Sequence, residues 1–264
     1  MAFVTAADGC RVHFTDEGQG LPVLMIPGLG GDGAFWRPLV ERLAPSFRVL
    51  TMDHRGAGRS DRPAGAYEIP QIARDAVAVL DAAGIEKAVI VGHSTGGLIA
   101  QVLALDHADR VRAVVIGGSW AKPNRRFRLL FDARLALLEA RNFAAYQKLT
   151  QVLGYPGDWI EANRERLERD VASAADRLQP VEVQIARIRM LLGYDRATDL
   201  HGIRCPALVV GAEDDLMVPL PHARAVAERI PGARLVVRSG GHFFPTVDPD
   251  GYAETLRAFL EEAA

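Results

Sequence analysis

The stretch Val89-Ile90-Val91-Gly92-His93-Ser94-Thr95-Gly96-Gly97-Leu98-Ile99-Ala100 sets Gly-x-Ser-x-Gly between a β-branched run and a run of small and apolar residues. In that context the motif predicts a strand turning directly into a helix, with Ser94 strained at the apex and its hydroxyl exposed. Gly92 and Gly96 keep side chains off the flanks of the turn, so strand and helix can pack closely. The first amide of the helix, that of Thr95, would point to where negative charge can form above Ser94. A serine nucleophile needs a base, and of the 7 histidines only His242 follows the last predicted strand in a glycine-rich turn, Gly240-Gly241-His242. Three adjacent carboxylates, Glu213, Asp214 and Asp215, follow another predicted strand and could orient that imidazole. These are the parts required for nucleophilic acyl transfer.

The rest of the chain must bring these parts together. At 264 residues it is long enough for one large domain carrying an insertion. A net charge of −2 gives no electrostatic footprint for nucleic acid, and no apolar run approaches the length of a membrane span. The N-terminus lacks the basic and apolar regions of a signal peptide. Cys10 and Cys205 lie far apart in sequence and outside any metal-ligand spacing, which reads as two buried free thiols in a reducing cytosol. The expected protein is therefore cytoplasmic, and acyl transfer on a serine implies neither metal nor organic cofactor. Its partner would be a small molecule, not nucleic acid or membrane, and it would act as a monomer or homodimer.

Cys10 to Phe14 alternates as a half-exposed strand, and Pro22 to Ile26 and Phe47 to Met52 are continuous apolar strands of the kind covered on both faces. Helices are predicted over Trp36–Leu43 and over Tyr67–Ala83, the latter stopped by Gly84. Ala88–Val91, Thr95–Asp106 and Val111–Ile116 continue the alternation, which implies a mostly parallel sheet with helices on both faces. It stops near Trp120. From 121 to 199 the chain reads as helical, with segments near Phe127–Ala140, Phe143–Leu153, Trp159–Ala174 and Val181–Leu192, and the sheet resumes at Pro206–Val210 and Arg234–Val237. The division is a core of 1–120 and 200–264 and an inserted helical cap of 121–199, lying over the strand ends where open α/β sheets bind ligands.

With its motifs in this order the chain resembles an α/β-hydrolase with a helical cap, over nearly its full length. The resemblance implies the order Ser, acid, His, met by Ser94, the 213–215 carboxylates and His242. It selects Asp215, which lies four residues before Pro219 of the Val-Pro pair, and leaves Asp214 as the alternative acid. It also implies a second oxyanion donor in the loop Pro27-Gly28-Leu29-Gly30-Gly31, where the Leu29 amide joins that of Thr95 although the histidine usual in this loop is absent. Asp53-His54-Arg55-Gly56-Ala57-Gly58-Arg59-Ser60 resembles the family's turn after its early strand, read here as a structural turn with internal ion pairs. Gly28, Gly30, His93, Trp120, Arg125 and Phe243 are candidates to line the pocket, with Arg125 beside Arg126 and Arg128 as a candidate carboxylate clamp.

Ser94 excludes the relatives that attack with an aspartate, the haloalkane dehalogenases and epoxide hydrolases of this fold. Pro-Gly-Leu-Gly-Gly, Tyr-Pro-Gly-Asp-Trp and Gly-Gly-His-Phe-Phe-Pro-Thr-Val-Asp-Pro are similar to segments of 3-oxoadipate enol-lactonases and of the hydrolases proposed for aminoacrylate. The leading expectation is hydrolysis of a small carboxylic ester or lactone through an acyl-enzyme on Ser94. The alternatives are cleavage of a C–N or C–C bond in a catabolic intermediate by the same residues, and a ligand-binding signalling protein on the same scaffold.

Overall fold

The apolar runs become adjacent strands of one eight-stranded sheet, ordered β1-β2-β4-β3-β5-β6-β7-β8, in a computed structural model that describes residues 2–263. β1 (Ala2–Thr5) and β2 (Arg11–Glu17) form an antiparallel ribbon at one edge. Then follow β3 (Pro22–Ile26), α1 (Arg37–Leu43), β4 (Arg48–Met52), α2 (Ile69–Ala82), β5 (Ala88–His93), α3 (Thr95–Asp106) and β6 (Val111–Gly117). Six helices come next: α4 (Arg125–Glu139), α5 (Phe143–Gly154), α6 (Gly157–Ala162), α7 (Arg164–Ala172), α8 (Ala174–Arg177) and α9 (Val181–Leu192). The sheet is completed by β7 (Ala207–Ala212), α10 (Pro221–Ala227), β8 (Arg234–Arg238), α11 (Phe244–Val247) and α12 (Pro249–Glu262). From β4 to β8 across the sheet every neighbouring pair is parallel.

Both faces of the central strands are covered, and this explains their unbroken apolar sequences. Along β3, Leu24 and Ile26 pack on the side of α2 and α3, whereas Val23 and Met25 pack on the side of α1 and α12. β5 and β6 divide in the same way, with Ile90, Val114 and Ile116 on the first side and Val89, Val91, Ala113 and Val115 on the second. β3 has β4 on one flank and β5 on the other. The direction of winding therefore reverses there, and the crevice beyond the carboxyl ends of β3 and β5 is the topological switch point where such sheets take ligands.

Phe3-Val4-Thr5, for which no strand is predicted, forms part of β1 and is held by pairing with β2. Three local expectations are corrected. α2 starts at Ile69 because Glu68 is extended, at φ −136° and ψ 142°, and Pro70 fills the first turn where its missing N–H is not needed. The helix expected over 159–174 breaks at Asn163, at φ −116° and ψ 22°, whose side chain donates to the Trp159 carbonyl at 2.9 Å in competition with the helical ladder. Both cysteines are free, but only Cys10 is fully buried and Cys205 is half-buried. No helix among the described residues is long and apolar enough to cross a membrane.

One polar contact ties the antiparallel edge to α2. Arg55 binds Asp75 through Nε and Nη2, both at 2.6 Å, and Asp8 through Nη1 at 2.6 Å, with the Arg55 and Asp75 side chains only 3% and 1% exposed. Breaking a buried pair leaves an uncompensated charge, so Asp75→Ala should lower stability by about 3–5 kcal/mol, read from the urea midpoint at constant slope.

Candidate active site

β5 passes into α3 with no intervening loop, and Ser94 takes φ +54° and ψ −118° at the junction. That conformation is unfavourable for a residue with a Cβ and persists only when its surroundings hold it. Its N–H donates to the Gly117 carbonyl at 2.8 Å, and its own carbonyl accepts from the Ser119 hydroxyl at 2.8 Å and from the Gly97 N–H at 2.9 Å. The flanking glycines are required by contact. A Cβ on Gly92 would lie 2.1 Å from the Gly96 carbonyl oxygen, and one on Gly96 would lie 2.0 Å from that of Ile26.

His242 follows β8 and Asp215 follows β7, and the structure brings them together. His242 Nδ1 lies 2.8 Å from Asp215 Oδ2, with both residues buried. Asp215 Oδ1 accepts the Met217 and Val218 N–H groups at 2.8 and 2.7 Å, so the carboxylate is fixed by its own turn. Asp214 points elsewhere. Its Oδ2 accepts the Gly240 N–H at 3.1 Å and ties down the turn that carries His242. Glu213 is exposed. His242 lies against Gly118, where an added Cβ would be 3.4 Å from its Cε1, and the adjacent Gly117 is the residue that holds the Ser94 N–H.

The glycine loop after β3 reaches over Ser94. A Cβ on Gly28 would lie 3.2 Å from Ser94 Cβ. The Gly31 N–H closes a turn on the Gly28 carbonyl at 2.9 Å, which sets the plane of the peptide that carries the Leu29 N–H. Neither that N–H nor the Thr95 N–H donates to another backbone carbonyl among the described residues. The turn after β4 braces this loop: His54 N–H donates to the Gly31 carbonyl at 2.7 Å, and the Gly33 N–H donates to Asp53 Oδ1 at 2.7 Å. The turn is expected to hold internal ion pairs, but its Arg55 pairs outward, with Asp75 and Asp8, and its Asp53 meets His13 of β2. From the opposite side Arg187 of α9 donates to the Leu29 carbonyl at 2.7 Å.

The sequence profile of the α/β hydrolase fold matches residues 22–249. This chain belongs to the α/β-hydrolase family. A relative from Caulobacter sp. (strain K31), provisionally named the carbamate hydrolase RutD, is 39% identical over 96% of each chain. Among solved structures, the enol-lactonase from Burkholderia xenovorans LB400 superposes with a TM-score of 0.90 at 26% identity, covering 98% of this chain and 100% of that one. A thermophilic esterase from Thermogutta terrifontis, solved with malate bound, gives a TM-score of 0.88 at 25% identity over 99% and 98%. The chain is accordingly a hydrolase.

The remaining candidates of this α/β-hydrolase fall into three groups. Gly28 and Phe243 adjoin the site. Phe243 is half-buried, its ring centroid 5.4 Å from that of His242, and its N–H donates to the Gly154 carbonyl of α5 at 3.0 Å. His93 and Trp120 are packing residues. His93 sits among Phe35, Trp36 and Phe244 with its ring 5.0 Å from that of His242, and burial, then His242, push its pKa well below the usual histidine range. Trp120 is wholly buried against Phe127. Gly30 and Arg125 are exposed, Arg125 on the first turn of α4, and Arg126 and Arg128 donate to the carbonyls of Leu216 and Leu192. Sequence reasoning missed Ser119 and Arg187. Arg187 had a signal, since it falls in the apolar stripe of Val183, Met190 and Leu191 on α9. Among the described residues no group of three or more His, Cys, Asp or Glu side chains is gathered for a metal.

The contact between Gly96 and the Ile26 carbonyl yields a direct test. Gly96→Ala forces backbone against backbone, so it should cost at least about 1–3 kcal/mol in urea unfolding, with activity lost in the fraction that folds.

Proposed function

We propose that this protein is a serine hydrolase that cleaves the C–N bond of a small carbamate-type substrate through a covalent intermediate on Ser94. The observation that carries the chemistry is the buried His242–Asp215 pair, 2.8 Å apart, beside a serine held at a strained strand-to-helix apex. With Nδ1 engaged by Asp215, Nε2 of His242 is the nitrogen left to take the Ser94 proton as Oγ attacks the carbonyl carbon. The tetrahedral oxyanion would be met by the Leu29 and Thr95 amides, each contributing on the order of 3 kcal/mol in the transition state. His242 then returns the proton to the departing nitrogen, and a water deprotonated by the same imidazole releases the second product. Asp215, fixed by two amides of its own turn, holds the imidazole and balances its charge. Ser94 itself is 8% exposed, which suits a small substrate.

The choice of bond rests on the 39% identity to the relative named a carbamate hydrolase. A second reading, hydrolysis of a small ester or lactone by the same residues, is supported by the likeness to an enol-lactonase and to an esterase holding malate. The two readings share the nucleophile and differ in the leaving group. Ammonia or amine release from small carbamates, measured against acid release from a lactone and ester panel, separates them. A kcat/KM for lactones far above that for every carbamate would overturn the first reading.

Intact-protein mass during turnover of p-nitrophenyl acetate should show a transient acetyl adduct on the wild type and none on Ser94→Ala. Asp215→Asn should lower kcat by about 10³–10⁴. Asp214→Asn, which loosens the turn without removing the partner of His242, should cost less than about tenfold. Equal losses from the two aspartates would contradict this division of roles.

A further inference from the structure

Arg187 lies in the middle of α9, wholly buried, and has no carboxylate within ion-pair distance among the described residues. Its partners are neutral: Nη2 donates to the Leu29 carbonyl at 2.7 Å and lies 3.3 Å from His54 Nδ1, and Nη1 donates to the Gly56 carbonyl at 3.1 Å. Nε has no partner. Burial brings its pKa down to about 10, so the group is still a cation at neutral pH. His54 is neutral beside it, its pKa held well below the usual range by burial first and then by Arg187. Placing an ion in the interior without a counter-ion is unfavourable, and an apolar residue of similar volume often does better for stability. The charge therefore calls for a reason other than folding.

Its position supplies one. The carbonyl that Arg187 holds belongs to Leu29, whose N–H is the proposed oxyanion donor, and Gly31 packs so tightly on the guanidinium that a Cβ there would lie 2.3 Å from Nη2. Because Arg187 touches no space that water can enter, it cannot bind the substrate directly and must act through the loop. A carboxylate partner would cancel its field at the place where the oxyanion forms.

We propose that Arg187 is a positioning residue for the oxyanion loop: its fork holds the Leu29 and Gly56 carbonyls, and its uncompensated charge favours the tetrahedral oxyanion above Ser94. This rests on the acyl-enzyme reading given above. It makes α9 part of the apparatus that stabilises the transition state, with no contact to the reacting atoms.

The test compares wild type, Arg187→Met and Arg187→Lys with p-nitrophenyl acetate, a neutral substrate, and with a trifluoromethyl ketone that forms a tetrahedral adduct on serine. Arg187→Met should lose about 30-fold in kcat with KM changed less than about twofold, and its affinity for the ketone should fall by a similar factor. Arg187→Lys, which keeps the charge and loses the fork, should lie between the two. A folded Arg187→Met with unchanged kcat, or a loss confined to KM, would overturn the proposal. If Arg187→Met does not fold, wild-type kcat and ketone affinity in Arg187→Lys would overturn it equally. Intact mass keeps the two ideas apart: a wild type that forms no acetyl-enzyme removes the acyl-enzyme reading and this inference with it. A wild type and Arg187→Met that acylate at equal rates remove this inference alone.

Discussion

The site depends on how closely two pieces of backbone pass beneath Ser94. α3 can start at the end of β5 only if its first turn lies against the end of β3, and the Gly96–Ile26 approach leaves no room for a methyl group. That proximity turns the reversal of strand order into a functional crevice. β3 and β5 are hydrogen-bonded neighbours, so the loop leaving one must rise directly over the apex leaving the other. The strain at Ser94 is thus held by the most deeply buried part of the sheet. This is where a costly conformation can be maintained, because the surrounding packing tolerates little displacement.

A loop rich in glycine gains reach at the expense of rigidity, and the structure restores the rigidity from two directions. The turn after β4 supports the loop from the core, through His54 on Gly31 and Asp53 on Gly33. Arg187 supports it from the inserted helices. The electrostatics are arranged just as asymmetrically. A cation with no carboxylate partner among the described residues lies behind the glycine loop, whereas His93, the histidine packed against His242, is held neutral by burial.

The sequence disclosed those features that are written locally. Gly-x-Ser-x-Gly between a β-branched run and a small-residue run allowed one folding outcome, and the α3 boundaries expected from it agree with the structure, as do those of β3, read from its own apolar run. Asp215 and Asp214 could not be told apart by composition, since both are carboxylates in one turn. What separates them is the direction of each side chain, to His242 in one case and to the Gly240 amide in the other. The arginines differ in how much they disclose. Arg125, Arg126 and Arg128 are conspicuous as a cluster, and clustered charge usually means a solvated face. Arg187 is a lone charge in an apolar stripe, which carries more information about the interior, but the loop it meets is distant in sequence. Asn163 broke a helix that periodicity had joined, because a side-chain bond to the backbone leaves no trace in a hydrophobic pattern.

The inserted helices touch each of the three loops that carry the proposed chemistry. Arg187 holds the Leu29 carbonyl, Gly154 accepts the Phe243 N–H next to His242, and Arg134 lies 3.9 Å from the sulfur of Met217, whose amide binds Asp215. Such an insertion is not a cassette. A lineage that altered it to admit a new substrate would disturb the surroundings of Ser94 in the same step, so divergence must proceed through substitutions that spare these contacts. The helices between β6 and β7 are in this sense constrained from within: their outward faces can drift, while a few inward residues tie their evolution to that of the sheet.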